Sequence, residues 1–314
     1  MNRQDEITVF YACDDRYIPY LSVSLLSLIE NADKNKVYNI LILNNDMLEE
    51  NKTKILKMAA QNIKIQFVDV SKQLQLIADK LSLRDYYSLS IYFRIFIPTM
   101  FPNLDKAIYL DSDTVVLADI AELFSVELGD NLAAAVPDAV VASEDVFIRY
   151  ADEGVGVPYR RYFNSGVMLM NLAEMRRCDL EGQFVYLLNT YHFNTICPDQ
   201  DYLNVICKDR VEYLDSGWNK MSVDSSPCEK LNLIHFNMYF KPWLYSDVPY
   251  QEYFWKYAKK SSYYEEILLQ KSNFGEDDKQ KDIEAGWHLR ETAKAICAEP
   301  NNFKNTLLVE EAVI

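Results

Sequence analysis

Two aspartates one residue apart, Asp111 and Asp113, close the apolar run Ile108-Tyr109-Leu110, and a second apolar run, Val115-Val116-Leu117, follows almost at once. In extended chain, residues i and i+2 project to one face, so two carboxylates would stand side by side at the edge of a core. Like charges so placed are costly unless a cation neutralises them. Paired hard oxygen ligands suit Mg2+ or Mn2+, and such an ion could also hold a diphosphate. The chain carries a second Asp-x-Asp, Asp199-Gln200-Asp201. What sets the first apart is its place at the end of an apolar strand.

Three more residues stand out. Of the three histidines, His192 in "TYHFNT" and His288 in the charged tail helix read as surface or satisfied core residues, whereas His235 ends the apolar run "LNLI" and precedes "FNMYFKPW". It is either an ordinary strand-end residue or a third metal ligand, and imidazole beside carboxylates suits Mn2+ better than Mg2+. Lys241, next to Pro242 and Trp243, could serve as a phosphate counter-charge. Arg94 lies inside the apolar helical stretch "SIYFRIFIP", where a guanidinium needs a partner. That partner is either a structural acid, with Asp105 as the candidate, or a diphosphate or sugar.

The elements that must position these groups are legible as alternating strands and helices. Apolar runs at 7–15, 37–46 and 63–71 and the run before Asp111 read as strands, separated by helical patterns including one around 88–97. Continuous apolar strands alternating with helices predict a parallel sheet covered on both faces. Several runs end at their carboxyl side in acids or amides: Asp14 and Asp15, Asn44 and Asn45, Asp111 and Asp113. That edge is where open parallel sheets hold ligands. For Asn44–Asp46, helix N-capping is a sufficient alternative account. Further on, 132–138, 163–172 and 231–236 read as strands and 173–191 and 199–208 as helices. From 249 the character changes to a Tyr- and Lys-rich amphipathic stretch and then a charged helix. The expected division is a catalytic domain over 1–248 and a helical extension over 249–314 that contacts an acceptor or forms surface.

Composition removes several classes. With 49% apolar residues in 314 the chain can bury a large core, and 8 glycines leave no Gly-rich phosphate loop. A formal net charge of −15 without a basic stripe argues against nucleic acid as a partner. No run approaches the length of a membrane span. The first ten residues lack an apolar leader and the six cysteines are scattered without CxxC, so the expectation is a cytoplasmic protein with reduced thiols. The amphipathic 250–271 segment either packs as a surface helix or touches a membrane surface or a lipid-linked acceptor, so membrane contact is at most peripheral, at the inner face.

In order along residues 5–270, the blocks "YACDDRY", "YFRIFIP" with "KAIYLDSDTVV", "YFNSGVMLMNL", "CPDQDYLN" and "HFNMYFKPW" resemble glycosyltransferase family 8, the family of glycogenin and the bacterial lipooligosaccharide α-galactosyltransferases. The resemblance implies a GT-A fold: a Rossmann-like, mixed, mainly parallel sheet with helices on both faces. It implies a UDP-sugar donor, UDP-glucose or UDP-galactose, and Mn2+ (or Mg2+) as cofactor. Transfer would retain anomeric configuration, onto a glycan, glycolipid or glycoprotein acceptor. Carried over by position, Asp111, Asp113 and His235 would be metal ligands. Asp14 would read the uracil, Tyr17 would stack on it, and Lys241 would contact the diphosphate. Arg94, Asp138, Asn164, Asp199 and Gln200 would surround the donor sugar. Two positions depart from the family pattern: Arg16 replaces an Asn found in some members, and Met238 a Gly near the diphosphate.

Retention needs two inversions or a front-face attack. Gln200 is an uncharged amide, so a covalent route would require a carboxylate such as Asp199. The favoured expectation is front-face attack, with Gln200 or Asp199 stabilising the oxocarbenium-like state. The rival enzyme class is a haloacid-dehalogenase-type phosphatase, whose DxDx[TV] motif "DSDTV" also fits; its later GDxxxD has no match, because "GDNLAAA" lacks the second acid. A non-catalytic nucleotide-sugar or glycan-binding module would have no need of all of Asp111, Asp113, His235, Gln200 and Lys241.

Overall fold

The computed structural model describes residues 6–75, 89–224 and 226–311. Ser88, at the start of the expected helix, and the ends of the expected segments, 1–5 and 312–314, lie outside the described residues. The first half runs β1 (Glu6–Ala12), α1 (Ile18–Asn31), β2 (Val37–Asn44), α2 (Glu49–Leu56), β3 (Ile63–Asp69), α3 (Ser71–Gln75), α4 (Phe93–Met100), β4 (Lys106–Leu110) and β5 (Thr114–Val116). The middle continues with α5 (Ile120–Phe124), β6 (Ala133–Pro137), α6 (Ala139–Ser143), α7 (Asp145–Arg149), β7 (Phe163–Asn171), α8 (Leu172–Arg177), α9 (Leu180–Tyr191) and α10 (Pro198–Ile206). The last part holds β8 (Val211–Tyr213), β9 (Lys220–Met221), β10 (Leu233–His235), α11 (Gln251–Ala258), α12 (Tyr264–Asn273), α13 (Glu276–Ala298) and α14 (Phe303–Glu311).

Seven strands form one sheet in the order β3-β2-β1-β4-β7-β6-β8. It is mixed and mainly parallel: β7 alone runs against its neighbours β4 and β6. Side chains alternate between two cores. On β4, Ile108 and Leu110 enter the core shared with α1, while Ala107 and Tyr109 enter the one shared with α4 and α9. Both faces are covered, which is why these strands read as unbroken apolar runs.

The chain leaves this sheet at the aspartate pair. Asp111 N–H still bonds the Gly166 carbonyl at 2.7 Å, and the Thr114 hydroxyl then donates to the Asp111 carbonyl at 2.9 Å, closing a turn. Residues 114–116 form β5 of a second, three-stranded sheet, ordered β5-β10-β9. The aspartates therefore occupy a turn between two sheets, not the continuous extended strand the i, i+2 argument assumed. A buried polar file ties that turn to α1: Tyr11 Oη to Ser24 Oγ (3.0 Å), and Ser24 Oγ to Thr114 Oγ1 (2.8 Å). Ser27 Oγ, on the same helix, accepts the Val116 N–H at 2.8 Å, satisfying an edge donor of β5.

Two expectations, a cap at Asn44 and one helix over 173–191, are corrected in detail. Asn44 does not cap α2; its amide bonds the Ile42 and Val68 carbonyls, while Asp15 accepts the Leu48 N–H at the start of that helix. The single helix expected over 173–191 is two, because Asp179 adopts a left-handed φ of 52° and its side chain caps α9. The segment from 249 packs back on the body. Phe254, Tyr257 and Tyr263 are buried, Ser261 Oγ bonds Ser22 Oγ at 2.6 Å, and Tyr263 Oη donates to Asn51 at 2.9 Å. Among the described residues no helix is long and apolar enough to cross a membrane.

Candidate active site

The β4–β5 turn, the end of β10 and the middle of β7 meet at one point. Asp111, Asp113 and His235 each offer a ligand atom there, all within 4.8 Å of one another, and they are the one such group among the described residues. His235 Nε2 lies 3.2 Å from Asp113 Oδ1 and 3.7 Å from Asp111 Oδ2. The other Asp111 oxygen is committed elsewhere: Arg94 Nη2 donates to Oδ1 at 2.8 Å and Tyr109 Oη at 3.0 Å. Asp113 Oδ2 accepts from Lys241 Nζ at 2.5 Å, and Lys241 also donates to the Phe236 carbonyl. Burial alone would raise the Asp113 carboxyl; Lys241 and His235 outweigh it and hold the group well below the usual carboxylate range. Two carboxylates on a partly buried turn and a buried imidazole are a donor set for Mn2+ or another hard-to-borderline divalent ion.

Gly166 makes this convergence possible. A methyl group at its Cα would collide with the His235 ring and with Asp111 Oδ2. A glycine inside a nine-residue strand marks close approach, and that was the signal in "FNSGV" that sequence reading passed over.

A second constellation adjoins the first. The Arg94 guanidinium is buried over the Tyr109 ring, 4.2 Å from its centroid. Its Nη1 donates to the Ser165 carbonyl at 2.6 Å, and its Nε lies 3.2 Å from Asp199 Oδ2. Asp105 is not its partner, as the sequence suggested: Asp105 pairs with Arg176 at 3.3 Å, and the sheet places Asp111 and Asp199 beside Arg94 instead. Burial raises the Asp199 carboxyl, with Arg94 opposing.

Gln200 Oε1 accepts the Ser165 N–H and its Nε2 donates to Asp138 Oδ2, both at 3.0 Å. Asn164 Nδ2 donates to the same Asp138 oxygen at 2.9 Å. The other Asp138 oxygen caps α6 through the N–H groups of Val140 and Val141. Asn219, unmarked in the sequence reading, joins the two constellations: its Nδ2 donates to Asn164 Oδ1 at 2.9 Å, and its Oδ1 faces His235 Nδ1 at 3.0 Å.

The second Asp-x-Asp behaves differently because it lies on a helix, where i and i+2 diverge. Asp199 faces Arg94, while Asp201 turns into the core and accepts from Tyr162 Oη (2.5 Å), Tyr150 Oη (2.7 Å) and Cys197 N (3.1 Å).

Asp111, Asp113 and His235, with Arg94, Asp199, Gln200, Asp138 and Asn164, border one cavity of about 710 Å3, inside the usual range for ligand pockets of roughly 300–1,000 Å3. Tyr17, Arg16 and Trp243 line one part of it, and Met238, held at a left-handed φ of 58°, lines it beside Lys241. Asp14 is not among the lining residues; its carboxylate accepts the N–H groups of Arg16 (3.0 Å) and Tyr17 (3.1 Å) and pairs with the Arg16 guanidinium. Five carboxylates, Asp111, Asp113, Asp138, Asp199 and Asp282, and four cationic side chains, Arg16, Arg94, Lys241 and Lys281, line the cavity.

Residues 8–247 match the family described as Glycosyl transferase family 8. Among curated proteins the chain is 28% identical to the lipopolysaccharide 1,2-glucosyltransferase of Escherichia coli K12, over 80% of this chain and 78% of that one. Among solved structures it is similar to galactosyltransferase LgtC in complex with donor and acceptor sugar analogs, with a TM-score of 0.68, 26% identity, and coverage of 82% of this chain and 96% of LgtC. It is also similar to the bifunctional glycosyltransferase WbbM in its apo form, with a TM-score of 0.72, 26% identity and coverage of 87% of this chain, but it spans only 53% of WbbM. The architecture is that of the GT-A fold.

Proposed function

We propose that this chain, which belongs to glycosyl transferase family 8, moves a hexose, glucose or galactose, from a UDP-sugar to a hydroxyl of a glycan, glycolipid or glycoprotein with retention of configuration. The observation that carries this reading is the convergence of Asp111, Asp113 and His235 beside the Arg94–Asp199–Gln200–Asp138 cluster in a single cavity. Asp111 Oδ2, Asp113 Oδ1 and His235 Nε2 would hold Mn2+, or Mg2+ in its place. The bound ion supplies Lewis-acid stabilisation of the charge that develops on the departing diphosphate.

The chain's own groups do the rest. Lys241, once drawn from Asp113, balances the diphosphate; a preorganised charge at a leaving group is among the largest catalytic terms. Tyr17 offers its ring to the base, with Arg16 at the same end of the cavity. Asp14 supports that turn and is our candidate for reading the uracil. Asp138, Asn164 and Gln200 position the sugar hydroxyls. Asp199 is held between Arg94 and the Ser165 hydroxyl, which donates to it at 3.1 Å. A carboxylate so restrained is a better electrostatic stabiliser than nucleophile, which supports front-face attack.

A phosphatase of the haloacid-dehalogenase type accounts for the aspartate pair but not for His235 joined to it. Proton NMR of the protein with Mn2+-loaded buffer exchanged for Mg2+ and UDP-glucose or UDP-galactose tests the proposal. We expect UDP release by slow hydrolysis, water taking the sugar, with the α-anomer of the hexose formed first. First formation of the β-anomer contradicts retention, and tight donor binding without UDP release, in Mn2+ and with a range of acceptors, identifies a binding module instead.

A further inference from the structure

Helix α13 lies wholly beyond residues 8–247, the stretch matched by the family, yet Lys281, Asp282, Ala285 and Leu289 of this helix line the same cavity as Asp138 and Gln200. Their spacing places them on one helix face. The helix is fastened to both flanks of the site. Near its start, Asp282 Oδ2 accepts from Tyr245 Oη at 2.6 Å, four residues beyond Lys241. Near its end, Arg290 makes a two-pronged pair with Glu144, Nε at 2.8 Å and Nη2 at 2.6 Å, six residues beyond Asp138. The wall is thereby registered against both the leaving-group side and the donor-sugar side.

We infer that this face of α13, with Val141 and Phe147 beside it, is the acceptor wall and takes the sugar ring of a glycoside. The inference rests on the glycosyl-transfer reading above. Group transfer needs a second substrate whose hydroxyl reaches the sugar carbon while water is kept out. The Tyr17–Trp243 part of the cavity is assigned to the nucleotide. The part bounded by α6, α7 and α13 borders Asp138 directly and is continuous with it. Val141, Phe147 and Leu289 are buried apolar groups, and Asp282 and Lys281 bring the polar ones. A pyranose presents C–H faces to the former and hydroxyls to the latter, the usual division of labour in a ligand pocket.

The test is ligand-observed saturation-transfer NMR on the full chain with UDP and Mg2+, using methyl β-glucoside, methyl β-galactoside and methyl β-lactoside as probes. At least one glycoside is expected to bind the wild type, with affinity falling at least tenfold in Ala285→Trp and in Leu289→Arg. UDP affinity, measured by calorimetry on the same preparations, should stay within threefold in Ala285→Trp, which shows that the variant is folded. No binding of any of the three glycosides, or binding undiminished in a folded Ala285→Trp, overturns the inference. Glycoside binding that depends on Ala285 in a protein with no affinity for UDP supports the wall and contradicts the glycosyl-transfer reading instead.

Discussion

His235 Nδ1 lies 3.0 Å from Asn219 Oδ1, and the direction of that hydrogen bond is fixed by a backbone amide three residues removed through the network. The Gly166 N–H can only donate, so the atom it meets at 3.0 Å is Asn164 Oδ1. That oxygen also receives Asn219 Nδ2, which turns Asn219 Oδ1 toward the imidazole. His235 Nδ1 must therefore carry a proton, which leaves Nε2 as the ring nitrogen that would turn a lone pair to an ion held with Asp111 and Asp113. Orienting partners of this kind are worth 10–100-fold in metal affinity. Asn219→Leu should weaken Mn2+ binding by about that factor, and Asn219→Asp, which keeps an acceptor for His235 but sets a carboxylate oxygen against Asn164 Oδ1, should recover only part of it. Calorimetric Mn2+ titration of the two variants checks this.

Gly166→Ala should damage the same site by steric means. The added methyl meets the His235 ring and Asp111 Oδ2 at once, and neither can retreat, since both are held by Asn219, Arg94 and Tyr109. We expect loss of Mn2+ affinity comparable to that of His235→Ala, with the thermal transition still cooperative. Mn2+ titration beside a melting curve separates the two effects.

Arg94 holds two acids, Asp111 and Asp199, from a buried position. Arg94→Leu leaves both uncompensated, and breaking a buried pair from one side costs roughly 3–5 kcal/mol. Denaturant unfolding should report a loss of that order for Arg94→Leu in metal-free protein. The double change Arg94→Leu with Asp199→Asn should lose less.

Asp201 gives the chain a stability dependence on pH. Burial, opposed by hydrogen bonds from Tyr162 and Tyr150, raises its carboxyl from 3.8 to about 6. The unfolded chain ionises this group more readily, so unfolding is favoured increasingly as pH rises from about 4 to about 6 and no further above that. Asp201→Asn removes the term. The stability difference, wild type minus variant, should therefore fall across that window and level off above it. A flat difference between pH 4 and 7 in urea titrations contradicts the assignment.

The main sheet was legible because both its faces are buried, which leaves β1, β2 and β4 as continuous apolar runs that end at the ligand edge. Asp111, Asp113 and His235 were legible for a related reason: charge and imidazole at the ends of core strands demand partners. Asn219 was not, because an amide in "GWNKM" carries no period or charge, and its meaning depends on His235 sixteen residues later. Arg94 announced that it needed an acid but not which one; the choice between Asp105 and Asp111 is made by the β4–β7 pairing, a long-range fact. The α13 segment read as a charged helix, and the charge on most of its positions hid the face of Ala285 and Leu289 that meets the cavity.

The most direct test of the central claim is UDP release from UDP-glucose and UDP-galactose, measured with Mn2+, with EDTA, and in Asp113→Ala with Mn2+. The account predicts release by the wild type with Mn2+, and loss of that release both on chelation and in Asp113→Ala. Equal rates in EDTA and in Mn2+, or an Asp113→Ala variant as fast as the wild type, would contradict it.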